Sequence, residues 1–566
     1  MTTDHRHPAA GGHQTHAVFN QAPQRTDIDE YSSNAALVDS VSAFAPSADT
    51  STLEEIGELI GSSDYQRDAE LANIYTPVLH THDRWGNRID DVEFHPAYHR
   101  VIAASLERST HSLAWNRADE GAEVERAARS FLFSQIEPGH GCPVSMTHAA
   151  VASLQFNSEL AEFWIPRATH AGYDPRRIDP AEKNAVTFGM AMTEKQGGSD
   201  VRANTTQAVA AQDGTYRLTG HKWFCSAPQS DAFLVLAQLP EGVSCFVVPR
   251  VLPGGELNVF RIQRLKNKLG NRSNASSEIE MDETVGWLLG EPGRGVRSII
   301  EMVSRTRFDC VIGSAAGMRQ GVAEAAWHTR HRSAFGARLV DQPLMRSVIA
   351  DLQLEAEAAT WSALHLASLY ERPQGNSETA EAAALRRLTT AVAKYWVCKR
   401  GPEHAYESLE CLGGNGYTED FPLARRYREQ PVLAVWEGSG NVIVLDVLRA
   451  LAREPHAAKA FLAFLETGLG SDGAYDHAYE RLARRLTEAQ EVLSVDGSRE
   501  AVARLQASGR VLVEQMALLY QSAVLRAYAS SEVAAAFVTA RLGRDRGREY
   551  GALPEGVAVD LLVERA

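Results

Sequence analysis

Residues 212–224 read QDGTYRLTGHKWF. Asp213–Gly214 is a hairpin signal, because both positions tolerate positive φ. The residues after it are rich in the β-branched and aromatic types that fit a pleated, half-buried surface. The same character returns at 232–239 (AFLVLAQL), 244–251 (SCFVVPRV) and 276–282 (SSEIEMD), with Gly, Pro, Asn and Ser between them. Short strands at this spacing predict a compact antiparallel β-domain over residues 185–290.

On both sides the period changes. Residues 123–135 (EVERAARSFLFSQ) and 149–164 (AAVASLQFNSELAEFW) carry apolar side chains at three- and four-residue spacing, the mark of amphipathic helices. Residues 295–332 and 379–413 do the same, the second ending at Gly413–Gly414, a natural helix stop. In the last block, Leu505, Leu512, Met516, Leu519 and Ala523 share one helix face. The order is helical, β, helical, helical. By the layer rule it is an α+β protein, with an N-terminal helical domain (50–184), a central antiparallel β-barrel-like domain (185–290), a C-terminal helical bundle (291–454) and an extra C-terminal helical domain (455–566). Residues 1–49 are expected to be a partly disordered extension.

Composition narrows the function classes. The 566 residues suffice for several domains. No run of eighteen apolar residues occurs, so no membrane-spanning helix is expected. The start, MTTDHRHPAAGGHQTH, has no apolar core and is not a secretory signal. Its scattered histidines predict no metal site. Six cysteines without CxxC spacing read as reduced thiols of a cytoplasmic protein. A net charge of −15 opposes general coating of nucleic acid.

Two stretches bear chemistry. Residues 189–201 (GMAMTEKQGGSDV) combine hydroxyls at Thr193 and Ser199 with the Gly197–Gly198 pair. Such backbone lets an anion approach closely, but the spacing fits neither a dinucleotide fingerprint nor a P-loop. Residues 435–444 (VWEGSGNVIV) set Glu437 between an indole and a flexible polar turn. On this stretch alone the turn reads as a cap for a helix starting near Val442, with Ser439 or Asn441 as N-cap.

The ordered motifs MTEKQGGSD (192–200), GHKWFCSAPQSD (220–231), HRSAFGARLVDQPLMR (331–346), ECLGGNGY (410–417) and VWEGSGN (435–441) together resemble the acyl-CoA dehydrogenase family of flavoproteins. THAVFNQ (15–21), LKNKLGNRSNAS (265–276), TRFDC (306–310) and RYREQPVLAVWEGSGN (426–441) are similar to its alkylation-response branch. The resemblance covers nearly the whole chain. It implies FAD held non-covalently between the β-domain and the helices, an acyl-CoA or related substrate, and a homotetramer in which a second subunit completes the site.

Residue by residue, it implies that Met192 and Thr193 lie at the isoalloxazine edge and that Gly198 and Ser199 reach the pyrophosphate. Phe224, Cys225 and Ser226 then lie behind the flavin, Phe224 standing where the family usually has Trp. Arg332, Phe335 and Gln342 match the stretch holding the adenosine end of FAD in a neighbouring subunit. Gly413 and Gly414 match the glycines near the adenine. Glu410 departs from the family's usual Gln. Glu437 matches the catalytic base, with Trp436, Gly438, Ser439 and Asn441 around it. Removing an α-proton from a thioester needs such a base, and an adjacent indole would raise its pKa.

The branch is also associated with weak dehydrogenase activity and with double-stranded DNA binding through the C-terminal block. Residues 456–566 hold one lysine and 12 arginines against 15 acids. That is near neutrality, with the densest run at Arg541, Arg544, Arg546 and Arg548. These arginines are the candidate phosphate contacts. A solvated loop paired to Asp545 and Glu549 accounts for them equally, and no recognition helix is evident. A protective DNA-binding protein that keeps FAD with little turnover is therefore the alternative to a dehydrogenase.

Overall fold

The structure, a computed structural model, describes residues 15–117, 119–371, 379–470, 472–494, 497–545 and 547–566. The histidine-bearing start (1–14) and Arg546 lie outside the described residues.

The N-terminal third is helical, as its periodicity predicts. Helices Ala35–Phe44, Thr50–Gly61, Ser63–Ile74, Pro96–Glu107, Ala122–Ile136, Gly141–Leu154 and Ser158–Ala168 are interrupted by one two-stranded hairpin, Val78–His82 with Arg88–Glu93. Several begin at capping side chains: Asn34, Asp49, Ser62 and Asn157 each accept a backbone N–H of the first turn. The first helix precedes residue 50. Its Leu37 and Val41 are fully buried in the main core, and ahead of it Arg25 and Glu30 form a buried ion pair.

The middle of the chain forms a seven-stranded sheet. Strands Gln207–Ala210, Tyr216–Ser226, Ser276–Leu289, Gly242–Pro249 and Ala232–Leu239 pair in turn, and the last returns to the first, closing a five-membered ring. The hairpin expected at Asp213–Gly214 joins the first two, with Gly214 at φ 81°. The sheet is not wholly antiparallel: Phe188–Ala191 pairs with Ala232–Val235 in parallel, and Gln207 with Gln238 likewise.

The chain then enters helix Gly295–His331, whose 37 residues run through the core and contact both the N-terminal helices and the helices that follow. Helices Pro343–Ser368, Ala380–Glu410, Pro422–Val435 and Gly440–Arg453 complete the bundle. The last block, Pro455–Glu466, Gly473–Leu493, Arg499–Tyr528, Ser531–Leu542 and Val559–Arg565, packs on the same core through the face holding Leu512, Met516, Leu519 and Ala523. Residues 422–453 are long and apolar enough by composition to cross a membrane. They form two helices, parted by a turn at Glu437–Ser439, and Ile443, Val444, Val447, Leu448 and Leu451 belong to the core.

A candidate active site at the Glu437 turn

Helix Pro422–Val435 stops at Trp436, and the next helix starts at Gly440. Between them Glu437 takes φ 57° and Gly438 φ 111°. A left-handed non-glycine residue is costly and persists only where its surroundings hold it. Two cations do so here. Arg307 Nε donates to the Glu437 carbonyl at 2.9 Å, and Lys394 Nζ donates to the carbonyls of Gly438 and Ala434. Arg307 is itself fixed by Asp446 at 2.9 Å, and Asp446 is shared with Arg387 at 3.0 Å. The turn is thus braced from helices Gly295–His331 and Ala380–Glu410 together.

Glu437 is half-buried, and its Oε2 is shielded from solvent with no hydrogen-bond partner among the described residues. Burial pushes its pKa up, against the opposing pull of Arg307, the Thr306 hydroxyl and Lys394. Desolvation disfavours the charged form, which makes this carboxyl a stronger base when it does ionise. Ser439 occupies the N-cap position but makes no capping bond with its side chain. Asn441 accepts from Arg510 Nε at 2.9 Å, tying the turn to the C-terminal block. Neither residue acts as the side-chain cap that the local sequence suggests.

Opposite the turn stands the end of strand Tyr216–Ser226. Alternation along the strand decides which side chains face out. Phe224 is 48% exposed, Ser226 is part-exposed, and Cys225 is fully buried. Cys225 packs inside the β-domain, where burial raises its thiol to about 12. Its side chain does not line the site, and only its backbone is available there. Cys142, at the start of helix Gly141–Leu154, bridges the two sides. Its thiol lies against Ser226 and Asn274 and within the field of Glu437, and burial lifts it to about 11.

The loop after Phe188–Ala191 closes beneath this strand. The Thr193 carbonyl accepts from Trp223 N–H at 2.8 Å. At Gly198 an added methyl group would come within 2.4 Å of Thr193 Oγ1, so the Thr193 side chain would have to move to admit it. Ser199 is exposed, and Met192 is half-buried with its carbonyl held by Asn204. The anchor of the loop is a pair that the motifs do not reveal. Glu194 and Lys222 are fully buried and 2.8 Å apart, and Glu194 also accepts from Thr205 and Thr206. These bonds hold its carboxyl well below the ordinary range although burial opposes them.

Arg332, Phe335 and Gln342 sit elsewhere. Arg332 and Arg307 are 25 residues apart along one helix, about 37 Å at 1.5 Å per residue. The stretch forms a small hairpin, Ser333–Ala334 with Ala337–Arg338. Its tip, Phe335, is 99% exposed, and Gln342 Nε2 donates to the Ala334 carbonyl. Arg332 donates to the Asn20 carbonyl at 2.7 Å, and the Asn20 side chain exchanges two bonds with Ser333. Asn20 of the THAVFNQ motif therefore docks the N-terminal segment on this hairpin. Gly413, at φ 60°, and Gly414 present backbone that no neighbour would crowd even with a Cβ added.

These features fit a flavin dinucleotide. The exposed aromatic ring of Phe224, hydroxyls at Thr193 and Ser226, and open glycine backbone are what such a group needs. Among the described residues no cluster of His, Cys, Asp or Glu could hold a metal.

The C-terminal arginines separate. Arg541 is largely buried and ion-paired to Asp351 at 2.5 Å and Glu355 at 2.9 Å. It fastens the last block to helix Pro343–Ser368 and is not presented to a phosphate. Arg544 and Arg548 are exposed.

Residues 20–175 match the family of adaptive response protein AidB N-terminal domains, 189–284 the acyl-CoA dehydrogenase middle domain, and 293–452 the acyl-CoA dehydrogenase C-terminal domain. AidB of Escherichia coli K12 is 42% identical over 97% of this chain and 98% of its own. Acyl-CoA dehydrogenase family member 11 of Caenorhabditis elegans is 29% identical over 84% of this chain and 80% of its own. The crystal structure of C. elegans ACDH-11 in complex with C11-CoA superposes with a TM-score of 0.84 at 27% identity, covering 96% of this chain and 95% of that one. An acyl-CoA dehydrogenase from Bacillus anthracis complexed with FAD shares the fold, with a TM-score of 0.64 at 16% identity over 83% of this chain and 86% of that one.

Proposed function

The chain belongs to the acyl-CoA dehydrogenase family, and from that premise we propose that it is an FAD-dependent dehydrogenase of the AidB type with Glu437 as its base. The observation that carries this is the Glu437 carboxyl: half-buried, raised in pKa, without a partner at Oε2, and held on a left-handed turn by Arg307 and Lys394.

The substrate class is an acyl-CoA thioester. Glu437 takes the α-proton as the α C–H bond breaks. Bound between the β-domain and the helices, FAD would supply the acceptor for the hydride that leaves the β-carbon, the substrate thereby being oxidised to the α,β-enoyl thioester. Arg307 and Lys394 act on the two backbone carbonyls of the turn and fix where the carboxyl points. Thr193 would bond the edge of the cofactor and Ser226 would lie behind it, with Gly198 and Ser199 toward its diphosphate.

The chain assembles with a second copy, whose Arg332–Gln342 hairpin completes the site. The offset of about 37 Å along one helix and the fully exposed Phe335 support this arrangement. The protein is cytoplasmic, with its six cysteines as free thiols. DNA binding, the other reading of the sequence, keeps only Arg544 and Arg548 as exposed candidates among the described residues.

The test is anaerobic titration of the flavin-loaded protein with a panel of saturated acyl-CoAs of graded length and branching. Bleaching of the flavin band by at least one, with the matching enoyl-CoA formed, is expected. No bleaching by any member would overturn the dehydrogenase reading.

A further inference from the structure

The wall facing the Glu437 turn contains a cation for which the reaction above has no use. Lys268 belongs to the segment that links strands Phe260–Leu265 and Ser276–Leu289. Its ammonium donates to the Asn274 carbonyl at 2.6 Å and to Ser276 Oγ at 3.1 Å. Ser276 is paired across the ladder with Ser226, and their hydroxyl oxygens are 3.5 Å apart. Ser226 is the hydroxyl assigned above to the wall behind the cofactor. Cys142 lies against both Ser226 and Asn274 and within the field of Lys268, so all five groups form one polar wall.

Lys268 makes no ion pair among the described residues. The acids nearest it are engaged elsewhere. Glu429, on helix Pro422–Val435, accepts the Asn271 N–H at 2.7 Å. Glu137, at the end of helix Ala122–Ile136, accepts from Asn73, His140 and Ser273. A part-buried ammonium bonded only to neutral oxygens is costly, because solvation is lost without a counter-charge. It is also effective, since its field in a low-dielectric wall is weakly screened.

We infer that Lys268 is a positioning residue for the redox centre, orienting the Ser226 hydroxyl through Ser276 and placing behind it a positive charge that has no direct ion-pair partner among the described residues. The inference rests on the reading that Ser226 borders bound FAD. A positive charge there favours the electron-rich state of the cofactor and so raises its reduction potential. Burial lowers the ammonium pKa to about 8, opposed by Cys142, Glu429 and Glu137. The charge is therefore present below pH 8 and lost above it.

The experiment measures FAD content and then the midpoint potential of the bound flavin from pH 6.5 to 9.5. It compares wild type, Lys268→Met, Lys268→Arg and Ser276→Ala. With FAD content unchanged, Lys268→Met should lower the potential at pH 6.5 by about 30 mV or more, tenfold in the equilibrium constant for a two-electron couple. The gap to wild type should close by pH 9.5. Lys268→Arg should keep the wild-type value at pH 6.5. Ser276→Ala, which leaves the charge but removes the link, should lower the potential by less, and it carries the test if Lys268→Met does not fold. Equal potentials in wild type, Lys268→Met and Ser276→Ala, or a gap that persists at pH 9.5, would overturn the inference. Wild-type protein that takes up no FAD would overturn the cofactor reading instead, and the two failures are distinct.

Discussion

Arg307 and Glu437, 130 residues apart in sequence, are hydrogen-bonded at the backbone: the guanidinium donates to the glutamate carbonyl at 2.9 Å, and its charge only partly offsets the effect of burial on the carboxyl. The other end of the guanidinium bonds Asp446. The carboxyl is therefore held in place without a bonded cation of its own, and its pKa stays raised by burial. A carboxyl fixed by its main chain leaves its side chain free for the role of base proposed above.

Glu437→Gln keeps size and hydrogen bonding but removes the base. Acyl-CoA dehydrogenation should fall by about 10² to 10⁴, with FAD content near wild type. In the wild type, kcat/KM should rise with pH through a limb centred above the ordinary glutamate value. Steady-state assays from pH 5 to 9 read both, and full turnover by the variant would put the base elsewhere.

Gly438→Ala should cost about 1–2 kcal/mol of stability, the penalty for a β-carbon at left-handed φ. The added methyl would also press on Ile443 and Val442 at about the limit of contact. Denaturant unfolding measures the loss, and activity should fall with it because the neighbouring Glu437 shifts.

Glu429 is buried and raised to about 7, first by burial and then by Glu137. The folded state thus holds a proton that the unfolded chain releases at about 4.5. Its contribution is fully present below pH 4.5 and is lost as pH rises to 7, by up to about 3 kcal/mol. Glu429→Gln should flatten the fall in stability between pH 4.5 and 7 seen in urea titrations. An unchanged slope would assign that proton to another group.

Phe335→Asp should leave the isolated chain stable, since the ring is almost wholly in solvent. If the hairpin serves a second copy, sedimentation should show a smaller assembly at equal concentration, with FAD content reduced in step. Unaltered assembly and unaltered FAD content would remove the hairpin from the site.

Arg541→Ala should destabilise by about 3–5 kcal/mol, the usual cost of stranding buried partners, here Asp351 and Glu355. Any affinity for duplex DNA should instead respond to Arg544→Ala with Arg548→Ala. Anisotropy titrations would show it as weaker binding with a shallower salt dependence, the log–log slope falling by about 0.9 for each phosphate that is no longer neutralised.

Much of this protein was legible in its sequence. Periodicity alone separated the strands of residues 188–289 from the helices around them, because side-chain alternation and the 3.6-residue stripe are local consequences of burying one face. Motif order pointed to the family, and only that resemblance, not the local stretch, singled out Glu437 as the candidate base. Tertiary structure decided the rest, where the partners lie far apart in the chain. Neither the Glu194–Lys222 pair nor the Arg307–Asp446–Arg387 brace has a local signature, since a buried charge looks like a surface charge until its neighbours are known. Strand direction turned Cys225 inward although the residues on either side of it face outward. Arg541 sits in the densest run of arginines, yet packing turned it inward onto two carboxylates while Arg544 stayed in water. The sequence specifies which faces must be buried, but what each charge meets there is settled only when those faces close on one another.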